Sequence, residues 1–253
     1  MVLIHQINEE NYLSEIEKGN KDLQKKFDYY NSLKSLKKQG TDINYSMTSS
    51  FRDPTVWAYA TLTFNNKPFK LYYFQDQFIN DKNRFVYVTA SNQIGKTKAA
   101  AIKALHHALF VPNASVIIVS ATEQQAVKIL DEIRWDLKRA QIPEVANTIG
   151  EVENRMEIHI NGPNNSVSTI RCFPPTKAVL GFAATLLICD EINFWDKIGE
   201  LSPVEYYDQV LEPRTNQTKN WKHPFFKMGQ IVFITNPNGQ MGLAWRCFGG
   251  DPR

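Results

Sequence analysis

From residue 84 onward, short β-branched runs alternate with helical stretches, and that alternation limits the chain to few architectures. Phe85-Val86-Tyr87-Val88 reads as a strand, Lys96 to Phe110 as a helix, Ser115 to Val119 as a strand and Thr122 to Arg139 as an amphipathic helix. Runs this apolar, without a polar alternate, belong to strands covered on both faces. Arg155 to Ile160 and Ser166 to Cys172 flank Asn161-Gly162-Pro163-Asn164-Asn165 and read as a hairpin with a polar turn. Thr185 to Cys189 is an apolar strand ending in acids, Pro203 to Leu211 a helix, and Gln230 to Ile234 a last strand. The fold class predicted is α/β, a mostly parallel sheet flanked by helices.

The N-terminal part differs. Residues 7–38 are rich in Glu, Lys, Leu and Gln, with acids early and lysines late, as a helix dipole prefers. The spacing predicts one helix broken near Gly19-Asn20, or two. Gln39-Gly40-Thr41-Asp42 stops it, and a polar stretch through Ser50 follows. Asp53-Pro54 then has the form of an N-cap with Pro at the first helical position, opening a short helix through Trp57, Tyr59 and Leu62. This gives a mostly helical N-terminal subdomain over 1–66 and a core over 67–253.

Other classes drop out. The apolar run Leu180 to Cys189 is interrupted by Gly181 and ends at Asp190, too short to span a bilayer. Met1-Val2-Leu3-Ile4-His5-Gln6 lacks the basic region and apolar core of a secretory signal. The 3 cysteines, Cys172, Cys189 and Cys247, are odd in number and far apart, against both a disulfide framework and a zinc site. A reducing cytosol fits. The 29 basic and 26 acidic side chains leave a net charge of +3, with acid gathered in 151–210 and base on either side.

The sharpest motif is Ala90-Ser91-Asn92-Gln93-Ile94-Gly95-Lys96-Thr97, which follows a predicted strand and opens a predicted helix. It is a phosphate-binding loop with Ala in place of the first Gly. Gly95 lets backbone N–H groups approach a phosphate at the helix N-terminus, Lys96 would reach the β- and γ-phosphates, and the Thr97 hydroxyl would ligate Mg²⁺. Such a loop calls for a carboxylate at the same sheet edge, and Leu186-Leu187-Ile188-Cys189-Asp190-Glu191 supplies it. Asp190 would hold Mg²⁺, while Glu191 would orient and polarise an attacking water. A nucleotide kinase has no use for a water-activating Glu, so the tandem acids favour ATP hydrolysis.

At these residues the chain resembles the large terminase subunit of tailed bacteriophages, the motor that packages DNA into proheads. Ser91 to Thr97 resembles the family's phosphate loop, and Ile188-Cys189-Asp190-Glu191 its acidic strand. Pro68-Phe69-Lys70-Leu71-Tyr72-Tyr73-Phe74-Gln75 is similar to the family's adenine-recognition motif, which implies that Gln75 reads adenine. A Gln amide, both donor and acceptor, suits the adenine edge. Val232-Phe233-Ile234-Thr235-Asn236-Pro237-Asn238-Gly239 resembles the coupling motif, which carries that role onto Thr235 and Asn236.

The resemblance implies a P-loop ATPase of the additional-strand type with a helical N-terminal lid, ATP and Mg²⁺ as cofactors, and double-stranded DNA, a portal and a small terminase subunit as partners. It implies a homo-oligomeric ring when assembled, a monomer in isolation, no membrane, and the cytoplasm of an infected bacterial host. The family's downstream nuclease domain is expected to be absent. Asn92 stands where many terminases carry a basic residue, so a transition-state arginine would come from elsewhere, with Arg134, Arg139, Arg155, Arg171 and Arg214 as candidates. The residues alone leave open a DNA helicase or other translocase, and a nucleotide-dependent assembly module without turnover.

Three further groups are predicted to be mostly structural. His106-His107 lack a metal-ligating partner at helical spacing, and Tyr72, Tyr73, Phe74 and Phe78 are expected to build core. Arg214, Lys219, Lys222, Lys227 and Arg246, interleaved with Trp221, Phe225 and Phe226, are a candidate DNA surface that a solvated face explains equally simply.

Overall fold

All but one of the strand pairs in the central sheet are parallel, as the unbroken apolar runs require. The computed structural model describes residues 9–38, 49–142, 145, 148, 154–162, 165–237 and 242–247. The predicted stop at 39–42, most of the polar stretch after it, Pro163-Asn164 of the hairpin turn and Asn238-Gly239 of the coupling motif lie outside the described residues. The larger sheet comprises β3 (Phe85–Thr89), β4 (Ser115–Ser120), β5 (Glu157–Asn161), β6 (Val167–Phe173), β7 (Leu186–Asp190) and β8 (Gln230–Thr235), in the order β3-β8-β7-β4-β6-β5. Short β1 (Thr63–Phe64) and β2 (Lys67–Pro68) make a separate hairpin.

Alternate residues of the central strands enter two cores. Val116, Ile118, Leu186, Ile188, Val232 and Ile234 pack on one face, with α4 (Lys96–Phe110) and α5 (Glu123–Lys138). Ile117, Val119, Leu187, Cys189, Ile231 and Phe233 pack on the other, with Trp195, Tyr206 and Leu211. Burial on both sides fixes the register, because a one-residue slip would exchange the faces of a strand. The predicted helix 203–211 is α-helical only over Pro203–Tyr206. It widens to a π turn over Tyr207–Leu211 and tightens to 3₁₀ over Glu212–Thr215, where Pro213 has no N–H to donate.

The first helix, α1 (Glu9–Lys38), runs unbroken through Gly19-Asn20. Gly19 marks a close approach, since a Cβ there would lie 2.0 Å from the Tyr73 ring. Tyr73 opens α3 (Tyr73–Asn80), and α2 (Pro54–Thr61) completes this layer. As predicted, Asp53 caps α2, its Oδ1 accepting the Thr55 and Val56 N–H groups at 2.8 and 3.2 Å. Lys26 of α1 ties the layer together, with Nζ 3.0 Å from Asp53 Oδ2 and 2.6 Å from Asp76 Oδ1. Every residue of α2 is buried: Val56, Tyr59 and Ala60 face Leu23, Phe27 and Tyr30 of α1, while Trp57 and Ala58 join the sheet core.

The tyrosine-rich run departs from expectation. Phe78 is buried, but Tyr72 is 68% and Phe74 36% exposed, their rings stacked 6.0 Å apart and inclined by 8°. The inward stripe of α3 is Gln75, Phe78 and Ile79, at helical spacing, and it leaves positions 72 and 74 outside. No helix among the described residues is long and apolar enough to cross a membrane.

His106 and His107 are both buried, and no metal-ligating cluster accompanies them among the described residues. The Nε2 of His106 lies 2.8 Å from Phe51 O, and that of His107 3.0 Å from Thr185 Oγ1. Burial pushes their pKa values down to about 4 and about 3. The unfolded chain therefore takes up protons below about pH 6.5 that the folded chain refuses, and stability falls as the pH drops from there. We expect a loss on the order of 2 kcal/mol per histidine between pH 7.5 and pH 5. Urea midpoints across that range check it, and the slope should flatten in His106→Asn/His107→Asn.

Candidate functional site

Strand order decides which segments meet. Although β8 comes last in the sequence, it lies between β3 and β7, with Thr89 opposite Thr235 and Asp190 opposite Ile234. The three strands are parallel, so the residues that leave their carboxyl ends share one crevice.

The loop leaves β3 with the Ala90 N–H donating to Thr235 O at 3.2 Å. It passes through two left-handed residues, Gln93 at φ 62° and Gly95 at φ 87°, before α4 opens at Lys96. Beneath it lies Gln75, 3% exposed, unlike its exposed neighbour Gln77. Both ends of the Gln75 amide are engaged: Nε2 donates to Gly95 O at 3.1 Å, and Oε1 accepts the Tyr72 N–H at 2.9 Å. A Cβ on Gly95 would come within 2.5 Å of that Nε2. Ser91, Asn92 and Gln93 are exposed, Ile94 half-buried and Thr97 exposed, one residue beyond Lys96.

Lys96 is buried, and its ammonium donates to Ala90 O at 2.6 Å, to Ser91 O at 2.9 Å and to Asn236 Oδ1. Burial lowers its pKa, against the opposing charges of Glu191 and Asp190. Asp190 is 4% exposed, and its Oδ2 accepts the Ser120 hydroxyl at 3.1 Å. Burial, and after it the neighbouring Glu191 charge, pushes Asp190 up to about 6. Glu191 turns away from the strand in the left-handed region at φ 54°. Its Oε2 and Oε1 accept the Asn236 Nδ2 at 3.2 and 3.4 Å. A non-glycine residue held at positive φ costs on the order of 1 kcal/mol and points to function when it sits in a crevice.

Three residues in this crevice were not singled out from the sequence. Ser120, one position past the predicted end of β4, reaches Asp190 because it is opposite that residue in the ladder. Asn193 donates its backbone N–H to Thr235 Oγ1 at 3.2 Å and its Nδ2 to Asn236 O at 2.6 Å. Buried Trp195 donates its Nε1–H to Asp190 O at 2.9 Å. For Asn193 and Trp195 the only signal was proximity to the acid pair, which says nothing without the turn that Glu191 makes, and Ser120 carried none until the strand pairing was known.

The donor set suits magnesium. Among the described residues no cationic side chain is bonded to the buried Asp190 carboxylate, the Ser120 hydroxyl lies beside it, and Thr97, exposed on the first turn of α4, carries a hard oxygen of the kind Mg²⁺ takes. No group of three His, Cys, Asp or Glu converges among the described residues, but Mg²⁺ beside phosphates needs only one or two carboxylates.

The charged residues outside the crevice separate into two sets. Arg134 donates to Asp131 and to the carbonyls of Asn154, Arg155 and Glu157; Arg171 donates to Thr169 and Glu157; Arg214 donates to Leu180 O. Arg139 stacks over the exposed Trp135 ring at 4.0 Å, and Arg155 is exposed. In the basic C-terminal stretch, Arg246 pairs with Asp208 at 2.6 Å and Lys219 donates to Asn216 at 3.0 Å. Lys222, Lys227 and Trp221 are exposed.

The contact between Gly95 and Gln75 generates a stability prediction. Gly95→Ala should destabilise the chain by about 1–3 kcal/mol, from the left-handed backbone and from the crowding of Gln75. Gln75→Ala in the same chain should relieve the crowding alone, so denaturation of both singles and the double should reveal a favourable coupling.

Residues 88–204 match the sequence profile described as terminase large subunit, T4likevirus-type, N-terminal. No curated protein matches the chain. Among solved structures, the large terminase of bacteriophage HK97 is similar at a TM-score of 0.56 and 15% identity, over 72% of this chain and 37% of that one. The large terminase ATPase domain of Thermus phage P74-26 is similar at a TM-score of 0.52 and 19% identity, over 68% of this chain and 66% of that one. The chain thus spans 37% of the length of the HK97 protein. The shared fold is that of P-loop NTPases, with β8 as the added strand between loop strand and acidic strand. Together with the profile over residues 88–204, from the end of β3 into the helix at Pro203, this makes the chain similar to the N-terminal part of large terminase subunits.

Proposed function

We propose that this chain hydrolyses ATP to drive double-stranded DNA into a viral prohead, as the ATPase part of a large terminase subunit. The observation that carries the reading is the convergence of Lys96, Asp190 and Glu191 on one crevice at the carboxyl edge of the sheet, spanned by Asn236. In this reading the N–H groups of Ser91 to Gly95 receive the phosphates and Lys96 neutralises the β- and γ-phosphoryl oxygens. Thr97 and Asp190 would hold Mg²⁺, which supplies further charge neutralisation when bound. Glu191 takes the proton of the attacking water, and Thr235 and Asn236 transmit the loss of the γ-phosphate to the segment beyond β8.

Gln75 reads adenine by exchanging its bond to Gly95 O for the base edge. Residues 1–66 act as a lid on a core over 67–253. DNA, portal and small subunit are the partners, the working form is a ring in the host cytoplasm, and an arginine of a neighbouring subunit completes the site, since Asn92 carries no charge.

Glu191→Gln should abolish phosphate release and keep nucleotide affinity within about threefold, whereas Lys96→Ala should lose both. Equilibrium binding and steady-state phosphate release check this, and parental turnover in Glu191→Gln would sink the assignment. Gln75→Ala should weaken ATP more than GTP, on the order of tenfold in the ratio. An equal loss for both nucleotides would leave Gln75 with the loop and remove it from the base.

A further inference from the structure

The three strands whose carboxyl ends form the crevice also border a second recess, at their opposite edge. Leu186 and Gln230 open β7 and β8, Asp81 and Lys82 precede β3, and all four line a cleft of about 430 Å³ that is open to solvent. At about 3.3 Å per residue, the length of a strand puts the two recesses roughly 15–20 Å apart. The walls of the cleft are apolar and held in place. Phe226 has its ring 5.5 Å from that of His106 and 5.4 Å from that of His107, two imidazoles that burial keeps neutral. Beside it, the Phe225 ring lies 3.9 Å beneath the Arg52 guanidinium.

The cations of the cleft divide by position. Buried Lys103 donates to Asp81 O, Ile79 O and Phe78 O at 2.9, 3.2 and 3.4 Å, so its hydrogens are taken and it makes no cradle for a small anion. Arg52, Lys82 and Lys227 are exposed at the rim and form no ion pair among the described residues. Asp81, the acid in the lining, already accepts the backbone N–H and the Nδ2 of Asn83, both at 2.8 Å. Positive charge spread around an apolar recess selects the occupant. A DNA duplex brings phosphates but no apolar group to fill the recess, and a free anion brings neither an anchor nor charge at several points. An acidic peptide with an aromatic side chain brings both.

We propose that this cleft docks an acidic segment of a partner protein, with an aromatic side chain against Phe225 and Phe226 and carboxylates on Arg52, Lys82 and Lys227. No side chain is shared with the crevice of Lys96 and Glu191, so the two sites can fail separately.

The probe is a short fluorescein-labelled peptide of Asp and Glu around one central Phe, followed by anisotropy on the whole chain at low ionic strength. It should bind with a Kd on the order of 10–100 μM, and about tenfold more weakly once its Phe is replaced by Ser. Arg52→Glu and Lys227→Glu, both at exposed positions, should each weaken it at least about fivefold, while urea midpoints and ATPγS affinity stay those of the parent.

Equal binding of the Phe and Ser peptides reduces the cleft to diffuse charge and overturns the proposal. So does a Kd for the Phe peptide weaker than about 1 mM. A duplex oligonucleotide that displaces the peptide and is itself weakened by both charge reversals makes the cleft a nucleic-acid surface. Self-association that Arg52→Glu abolishes makes the occupant a second copy of this chain. Either result rejects the partner segment.

Discussion

The ammonium of Lys96 is the contact on which the crevice depends. A cation this deeply placed has to be matched by acceptors on every hydrogen, or its desolvation would be uncompensated. The loop supplies two of those acceptors and the end of β8 the third. The third is within reach only because β8, last in the sequence, is inserted between β3 and β7. One strand placement therefore brings together the loop, the acid pair and the residue between them.

Around that contact the crevice holds several unfavourable features that the surrounding core offsets. Asp190 is buried, with its carboxyl pushed up to about 6, and Glu191 and Gln93 sit at positive φ. Neither condition would persist in a loose loop. The turn after β7 is held by the Trp195 indole on Asp190 O and by the packing of Trp195 against Tyr206, ring centroids 6.1 Å apart. The loop is held from beneath by Gln75. The pre-set geometry is the sort that charge stabilisation in phosphoryl transfer requires.

How much of this was legible depends on the kind of information involved. Strands 115–119, 185–189 and 230–234 could be read because burial on both faces leaves unbroken apolar runs, the half-exposed edge strand 85–88 from its aromatic and β-branched residues, and the helix at Lys96–Phe110 matched to the residue. The Gly19 break was misread because a glycine in a helix marks either a stop or a close neighbour, and only the Tyr73 ring distinguishes them. Tyr72 and Phe74 were misplaced for a related reason: the inward stripe of α3 is set by where the helix lies on the sheet, and composition does not record that. The tie between Asn193 and β8 joins segments about forty residues apart, through a turn whose left-handed Glu191 has no sequence signature.

The long first helix has a mechanical consequence. At 1.5 Å per residue its 30 residues extend about 45 Å, and much of that length is exposed. Its contacts with α3 fall on Tyr73, through Gly19, and on Asp76, through Lys26. Those two residues bracket Gln75, whose amide supports the phosphate loop at Gly95. The first helix, itself packed onto α2 through Leu23, Phe27 and Tyr30, is thus joined through one short helix and one side chain to the backbone of the loop before α4.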